Sequence, residues 1–218
     1  MSGNDCNRTG FGMLRRFLVV LSGLLAFPAN AAKVESSDIA GWQQMVFSGH
    51  TRWQQGEDCV QATAERSASG LIREVTDIDV ARQQLVWGWR VDAPLQPGNR
   101  APEKTRDGDD FVARVYVVKK GFFPWQTYAI NYVWSREHPV GSAWPNPFTG
   151  NAMMVVVESG DAHLGEWREY RRDVRADFRR YHDMDVDTIY ALAVMTDTDN
   201  TEGVARACYQ LPAFVERP

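Results

Sequence analysis

The sequence predicts an all-β domain with one short helix. Short runs rich in Val, Ile, Tyr, Trp and Thr recur along it, separated by clusters of Gly, Pro, Asn and Asp. Such clusters are the punctuation of strands and turns. Within the runs, bulky apolar residues alternate with smaller or polar ones at the period of two that a pleated strand imposes. A single segment carries helical spacing instead. Many strands and one helix mean an antiparallel sandwich or barrel.

The first thirty-odd residues read as an address. Arg15 and Arg16 precede the apolar run FLVVLSGLLAF (residues 17–27), and Ala29-Asn30-Ala31 supplies a cleavage signal before Ala32. That run is shorter than the roughly 20 apolar residues that cross a bilayer. Residues 1–31 are therefore expected to be a cleaved signal peptide. Residues 32–218 are expected to be one β-sandwich domain, periplasmic or secreted, with no membrane span in the mature chain.

The sequence holds 24 Lys and Arg against 28 Asp and Glu; the leader contributes Arg8, Arg15, Arg16 and Asp5, which leaves the mature chain at net −6. That charge argues against nucleic acid as a partner. Cys6 leaves with the leader, while Cys59 and Cys208 remain in an oxidising compartment. They read either as a disulfide joining an early strand to the last one or as two buried thiols packed as small hydrophobes.

Strands are expected near residues 44–47, 59–64, 70–75, 84–91, 111–119, 128–135, 152–158, 167–173, 188–196 and 204–211. The helix is expected over 173–183, DVRADFRRYHD, with Asp173 as its cap and Val174, Phe178 and Tyr181 on one side. Over the longer stretch WREYRRDVRADFRRYHD (residues 167–183), six arginines from Arg168 to Arg180 are interleaved with Glu166, Glu169, Asp173 and Asp177, the pattern of a solvated, ion-paired face. Along the strands, Leu85, Trp87, Trp89 and Val91 share one side, as do Tyr128, Ile130, Tyr132 and Trp134. These bulky sides should form the core. The opposite sides carry Arg90, Arg114, Tyr116 and Asn131 among small residues. If the three strands are neighbours, those residues make a mixed polar and aromatic surface suited to a shallow ligand groove.

Six segments, LVWGWRVDAPL, DGDDFVARVYVV, YAINYVWS, NPFTGNAMMVVVESG, REYRRDVRADFRR and IYALAVMTDTDNTEGVARACY, resemble in order the blocks of an exported bacterial family known as domain of unknown function 3047. The resemblance covers about residues 47–214 and implies no activity, because the family has none assigned. The closing pattern, with Asp177-Phe178 ahead of an acidic turn and Tyr209 in the last strand, also resembles galactose-binding-like carbohydrate-binding modules. That second likeness implies a jelly-roll β-sandwich; any function drawn from it is analogy.

Two acidic clusters stand out. DTDNTEG spaces Asp197, Asp199 and Thr201 like the start of a calcium loop. An EF-hand is excluded, because the glycine falls at Gly203 and the twelfth position is Cys208. Three readings remain for it: a tight turn held by Asp and Asn side chains, a looser structural calcium site at Asp197, Asp199 and Asn200, or direct ligand contact. The second cluster, RDGDDF, puts Asp109 and Asp110 ahead of Arg114, which reads as structural ion pairs or as a polar set that grips hydroxyls.

The expected function is non-catalytic binding of a glycan or small polar ligand by Arg90, Asp109, Asp110, Arg114, Tyr116 and Asn131, with Trp144 in the long loop 136–151 closing over it. No cofactor is expected beyond the calcium just described. One alternative is a glycan hydrolase using two carboxylates among Asp109, Asp110, Glu158 and Asp197. Another is an envelope scaffold that docks through the aromatic tip at residues 122–125. No hydrolase elbow, Walker or dinucleotide fingerprint is present, and the four histidines form no ligand pair.

Overall fold

Side-chain alternation sorts the strands into two layers. The computed structural model describes residues 38–76, 78–123 and 126–218. The expected signal peptide, Cys6, Pro124 and Trp125 lie outside the described residues. In chain order the strands are β1 (Gln43–Ser48), β2 (Arg52–Gln55), β3 (Val60–Glu65), β4 (Ala68–Glu74), β5 (Gln83–Arg90), β6 (Arg114–Lys119), β7 (Tyr128–Ser135) and β8 (Ala143–Pro145). Then come β9 (Ala152–Ser159), β10 (Arg168–Arg172), helix α1 (Val174–His182), β11 (Ala191–Asp197) and β12 (Val204–Glu216). One sheet runs β1-β4-β11-β6-β7-β9-β8 and the other β10-β5-β12-β3-β2. Together they form a β-sandwich. Among the described residues, no helix is long and apolar enough to cross a membrane.

The expected core sides of β5 and β7 face inward. Leu85, Trp87 and Trp89 of β5 and Ile130, Tyr132 and Trp134 of β7 are buried in one cluster with Val115 and Val117 of β6. Trp87 stacks on Tyr132 of the opposite sheet with ring centroids 5.1 Å apart, and on Tyr170 of the neighbouring β10 at 5.0 Å. Such a stack contributes about 0.5–1.5 kcal/mol beyond the area it buries. Helix α1 begins where Asp173 Oδ1 accepts from the Ala176 N–H at 3.0 Å, and it ends at Asp183 in the left-handed region. Its Phe178 is fully buried, and its Asp177 accepts from the Tyr132 hydroxyl at 2.7 Å while pairing with Arg172. The helix is thereby stapled to the sandwich by both an apolar and a charged contact.

Two strands lie where none was expected. β2 is a short edge strand paired only with β3, and β8 lies inside the proline-rich loop. Pro145 fits there because an edge strand does not need every amide for a ladder. The loop also makes β7 and β9 run parallel, the exception in an otherwise antiparallel set of described pairs. A parallel pair needs a crossover of a dozen or more residues, and residues 136–151 supply it. Strand β12 extends to Glu216, well past the expected end near 211.

Cys59 and Cys208 form a disulfide, with Cα atoms 5.6 Å apart across 149 residues of sequence. It ties the entry of β3 to β12, which lies between β3 and β5. Closing so long a loop restricts the unfolded chain strongly. Replacing both cysteines by serine should lower the stability by about 2–5 kcal/mol, read as a shift in the urea midpoint of the oxidised protein against the variant.

Candidate functional site

The sandwich core covers only one face of the seven-stranded sheet. A second apolar cluster joins Phe111 ahead of β6, Val133 of β7, Trp144 of the edge strand β8, and Met154 and Val156 of β9. The same sheet carries a cavity of about 280 Å³. Its floor comes from Arg114 and Tyr116 of β6, Asn131 of β7, and Met195 and Asp197 of β11. Asp109, Asn146, Asp199 and the rings of Phe47 and Phe148 stand around it. Phe47 is 64% exposed and Phe148 51%.

Arg114 organises the floor. The side chain is 3% exposed, and Nε donates to Asp197 Oδ1 at 2.8 Å. NH2 donates to Asp197 Oδ2 and to the Asp109 carbonyl, while NH1 reaches Asp109 Oδ2 and the Tyr116 hydroxyl, both at 3.4 Å. Five contacts use the five N–H donors of a guanidinium. Burial alone would pull Arg114 down, but Asp197, Tyr116 and Asp109 hold it well above the ordinary arginine value. Burial also pushes Asp197 well up and raises Asp109, against the pull of Arg114 on both. Asp199 is raised by burial and by the charge of Asp110.

The acidic turn after β11 is held by Asp110. Its Oδ2 accepts from the Thr201 amide and hydroxyl, both at 2.6 Å, and its Oδ1 accepts from the Asn200 amide and side chain at 3.3 and 3.0 Å. Asp110, Asp197 and Asp199 each bring a carboxylate oxygen within 4.8 Å of the others. A carboxylate offers about four acceptor positions, so Asp110 is full, and Asp197 already accepts from Arg114 and the Phe111 amide. This is the bonding of a fixed turn.

Of the residues expected at the ligand, Asp109, Arg114, Tyr116 and Asn131 meet in this cavity, as do Asp197, Asp199 and Asn200. Asp110 lies fully buried just behind it. Two expectations are corrected. Arg90 sits on β5 in the other sheet, paired with Asp92 at 2.9 Å and set over Trp167, because β5 is sequestered between β10 and β12. Trp144 is 6% exposed rather than open to solvent. Pairing of β8 with β9 turns its indole onto Phe111 and His138. Glu158 also lies elsewhere, bound to Arg168, Tyr170 and His163. Of the aromatic tip, Phe122 is 91% exposed.

Sequence reasoning missed Phe47, Phe148 and Asn146. Asn146 Nδ2 donates to Asp109 Oδ2 at 2.8 Å, and its Oδ1 accepts from the Phe148 amide at 2.9 Å, which fixes the loop that carries the ring. The Pro-Asn-Pro-Phe-Thr-Gly run was the available signal.

The family model described as Protein of unknown function (DUF3047) matches residues 40–211. The chain belongs to that family. No curated protein matches it. Among solved structures it is similar to the xyloglucanase domain of NopAA, a type three effector from Sinorhizobium fredii, in complex with cellobiose. That likeness has 5% identity over 81% of this chain and 93% of that one, with a TM-score of 0.48. A family 11 carbohydrate-binding module from Clostridium thermocellum gives 8% identity, 82% and 91% coverage and a TM-score of 0.39. A native family 12 xyloglucanase from Bacillus licheniformis gives 6%, 82%, 88% and 0.38. Likenesses at that level say nothing of this chain's ligand or activity.

The buried charges make the site a pH-sensitive part of the fold. The raised carboxyls bind protons in the folded state that the unfolded chain releases above its ordinary value of 3.8. Their contribution is therefore full below that value and falls as pH rises through the folded ones. Arg114→Ala removes the one cation from this cluster and should cost about 3–5 kcal/mol near neutral pH. Urea denaturation as a function of pH should show that deficit shrinking as the medium is acidified and the stranded carboxyls take up protons.

Proposed function

We propose that this protein is an exported, non-catalytic saccharide-binding module whose ligand sits in the cavity on the open face of the seven-stranded sheet. What carries the proposal is one combination: exposed Phe47 and Phe148 rings above a floor that holds two oxygens without hydrogen-bond partners, Asp109 Oδ1 and Asn131 Oδ1. Buried polar atoms are ordinarily paired. A sugar offers apolar C–H faces to rings and hydroxyls to acceptors, so it matches both parts of the site. The volume of about 280 Å³ sits at the lower edge of the roughly 300–1,000 Å³ of small-ligand pockets, which suits one or two sugar rings rather than a long chain.

Hydrolysis fits the same residues less well. It requires one carboxyl held up as an acid beside an ionised partner. Here Asp109, Asp197 and Asp199 are all pushed upward, and Asp197 is clamped by Arg114. Burial pushes these three the same way and sets none of them apart as the ionised partner. Release of reducing sugar by the wild type, lost in Asp109→Asn, would overturn the non-catalytic assignment.

Titration calorimetry with a panel of mono- and disaccharides tests the binding. Phe148→Ala and Phe47→Ala should each weaken the best ligand roughly tenfold, about 1.4 kcal/mol, with the melting temperature little changed because both rings are exposed. Unaltered affinity in both variants would place the ligand elsewhere.

A further inference from the structure

We propose that the cavity selects saccharides bearing a free amine, in the ammonium form, over neutral or acidic sugars. This deepens the saccharide reading above and rests on it.

The site is unbalanced in hydrogen bonding. Among the polar side chains that reach it, Arg114, Asn146 and Asn200 spend their donors on the protein, while the Thr149 hydroxyl serves as an acceptor. All five N–H groups of Arg114 are engaged. The Asn146 amide donates to Asp109, and the Asn200 amide donates to Asp110 and Asp199. The Asn131 amide rests on the Met154 thioether at 3.2 Å. The acceptors are not spent. Asp109 and Asn131 are 3% and 1% exposed, and Oδ1 of each has no partner. The terminal torsion of Asp and Asn is broad, so a modest rotation turns these oxygens toward a seated ligand.

Charge is unbalanced in the same sense. Asp109, Asp197 and Asp199 line the cavity with one cation, Arg114, and Asp110 brings a further carboxylate beside Asp197 and Asp199. Burial first, and Asp110 in addition, push Asp109 and Asp199 upward against the pull of Arg114. An ammonium brings one positive charge, three N–H donors and no acceptor. Asp109 Oδ1 and Asn131 Oδ1 offer it two acceptors without partners, Asp199 lines the same cavity, and the Phe47 and Tyr116 rings offer π-faces, whereas the Phe148 ring already carries Arg106 at 5.3 Å. A carboxylate or phosphate on the ligand faces the carboxylates of Asp109, Asp197 and Asp199.

A calcium ion is the competing cation. It needs six to eight oxygen ligands. Asp110 already accepts four hydrogen bonds and Asp197 accepts three, which leaves too few free lone pairs.

The test is calorimetry of the full chain at low salt and near neutral pH, where the carboxyls keep more of their charge than in acid, with glucosamine, glucose, N-acetylglucosamine and glucuronate. Glucosamine should bind at least about tenfold more tightly than glucose and N-acetylglucosamine, with glucuronate weakest, and added salt should shrink the preference. Asp109→Asn should cut the glucosamine-to-glucose ratio about tenfold. Asn131→Asp, which adds a charge, should widen it, and serves if the first variant does not fold. Equal affinity for glucosamine and glucose overturns the amine preference and leaves the saccharide pocket standing. Binding of none of the four overturns the pocket and the preference together. Calcium binding that Asp109→Asn abolishes, with no discrimination among the sugars, overturns the preference in favour of a metal.

Discussion

The interaction on which the site depends is the contact of Arg114 with Asp197 and Asp109. A guanidinium so deeply buried persists only where carboxylates and carbonyls satisfy every donor, because an unpaired charge in that position costs several kcal/mol. Meeting that demand fixes two otherwise independent segments. Asp197 ends β11, and Asp109 belongs to the stretch that precedes β6. With both drawn to one side chain, that stretch is fixed against the end of β11 and sets Phe111 beside Trp144. Asp109, Arg114 and Asp197 all line the cavity.

The other half of the molecule holds the sheet still beneath that arrangement. Trp87 lies against Tyr132 and Tyr170, which couples the two sheets at their centre. The hydroxyl of Tyr132 continues the chain of contacts to Asp177 on the helix, and Arg172 closes it. Position is set by aromatic packing on one face of β7 while chemistry is presented on the other, since Asn131 and Tyr132 are successive residues on opposite sides of the same strand. This division of labour lets the open face carry partnerless polar atoms without loosening the fold.

Most of the fold was legible because the sequence alternates cleanly. The boundaries of β7 coincide with expectation, and those of β1, β3 and β5 differ by a residue or so. What alternation cannot encode is which sheet a strand joins. Arg90 and Arg114 occupy equivalent local patterns, yet β5 and β6 lie in different layers, so a groove spanning both does not form. Trp144 shows the same limit: its loop reads as exposed, but pairing with β9 folds the indole inward. The tight turn after β11 was visible as Asp-Thr-Asp-Asn chemistry. Its anchor was not, since Asp110 lies about ninety residues earlier in the chain. Exposed rings such as Phe47 and Phe148 look like core residues until their surroundings are known.

The topology carries a consequence for how the molecule is made. Strand β12, the last in sequence order, occupies the centre of the five-stranded sheet and zips β5 to β3. Until residues up to Glu216 exist, β5 and β3 share no neighbour, and Trp87 and Trp89 have no completed layer around them. The five-stranded sheet is therefore complete only once β12 has been made, and the sandwich closes as a whole rather than strand by strand.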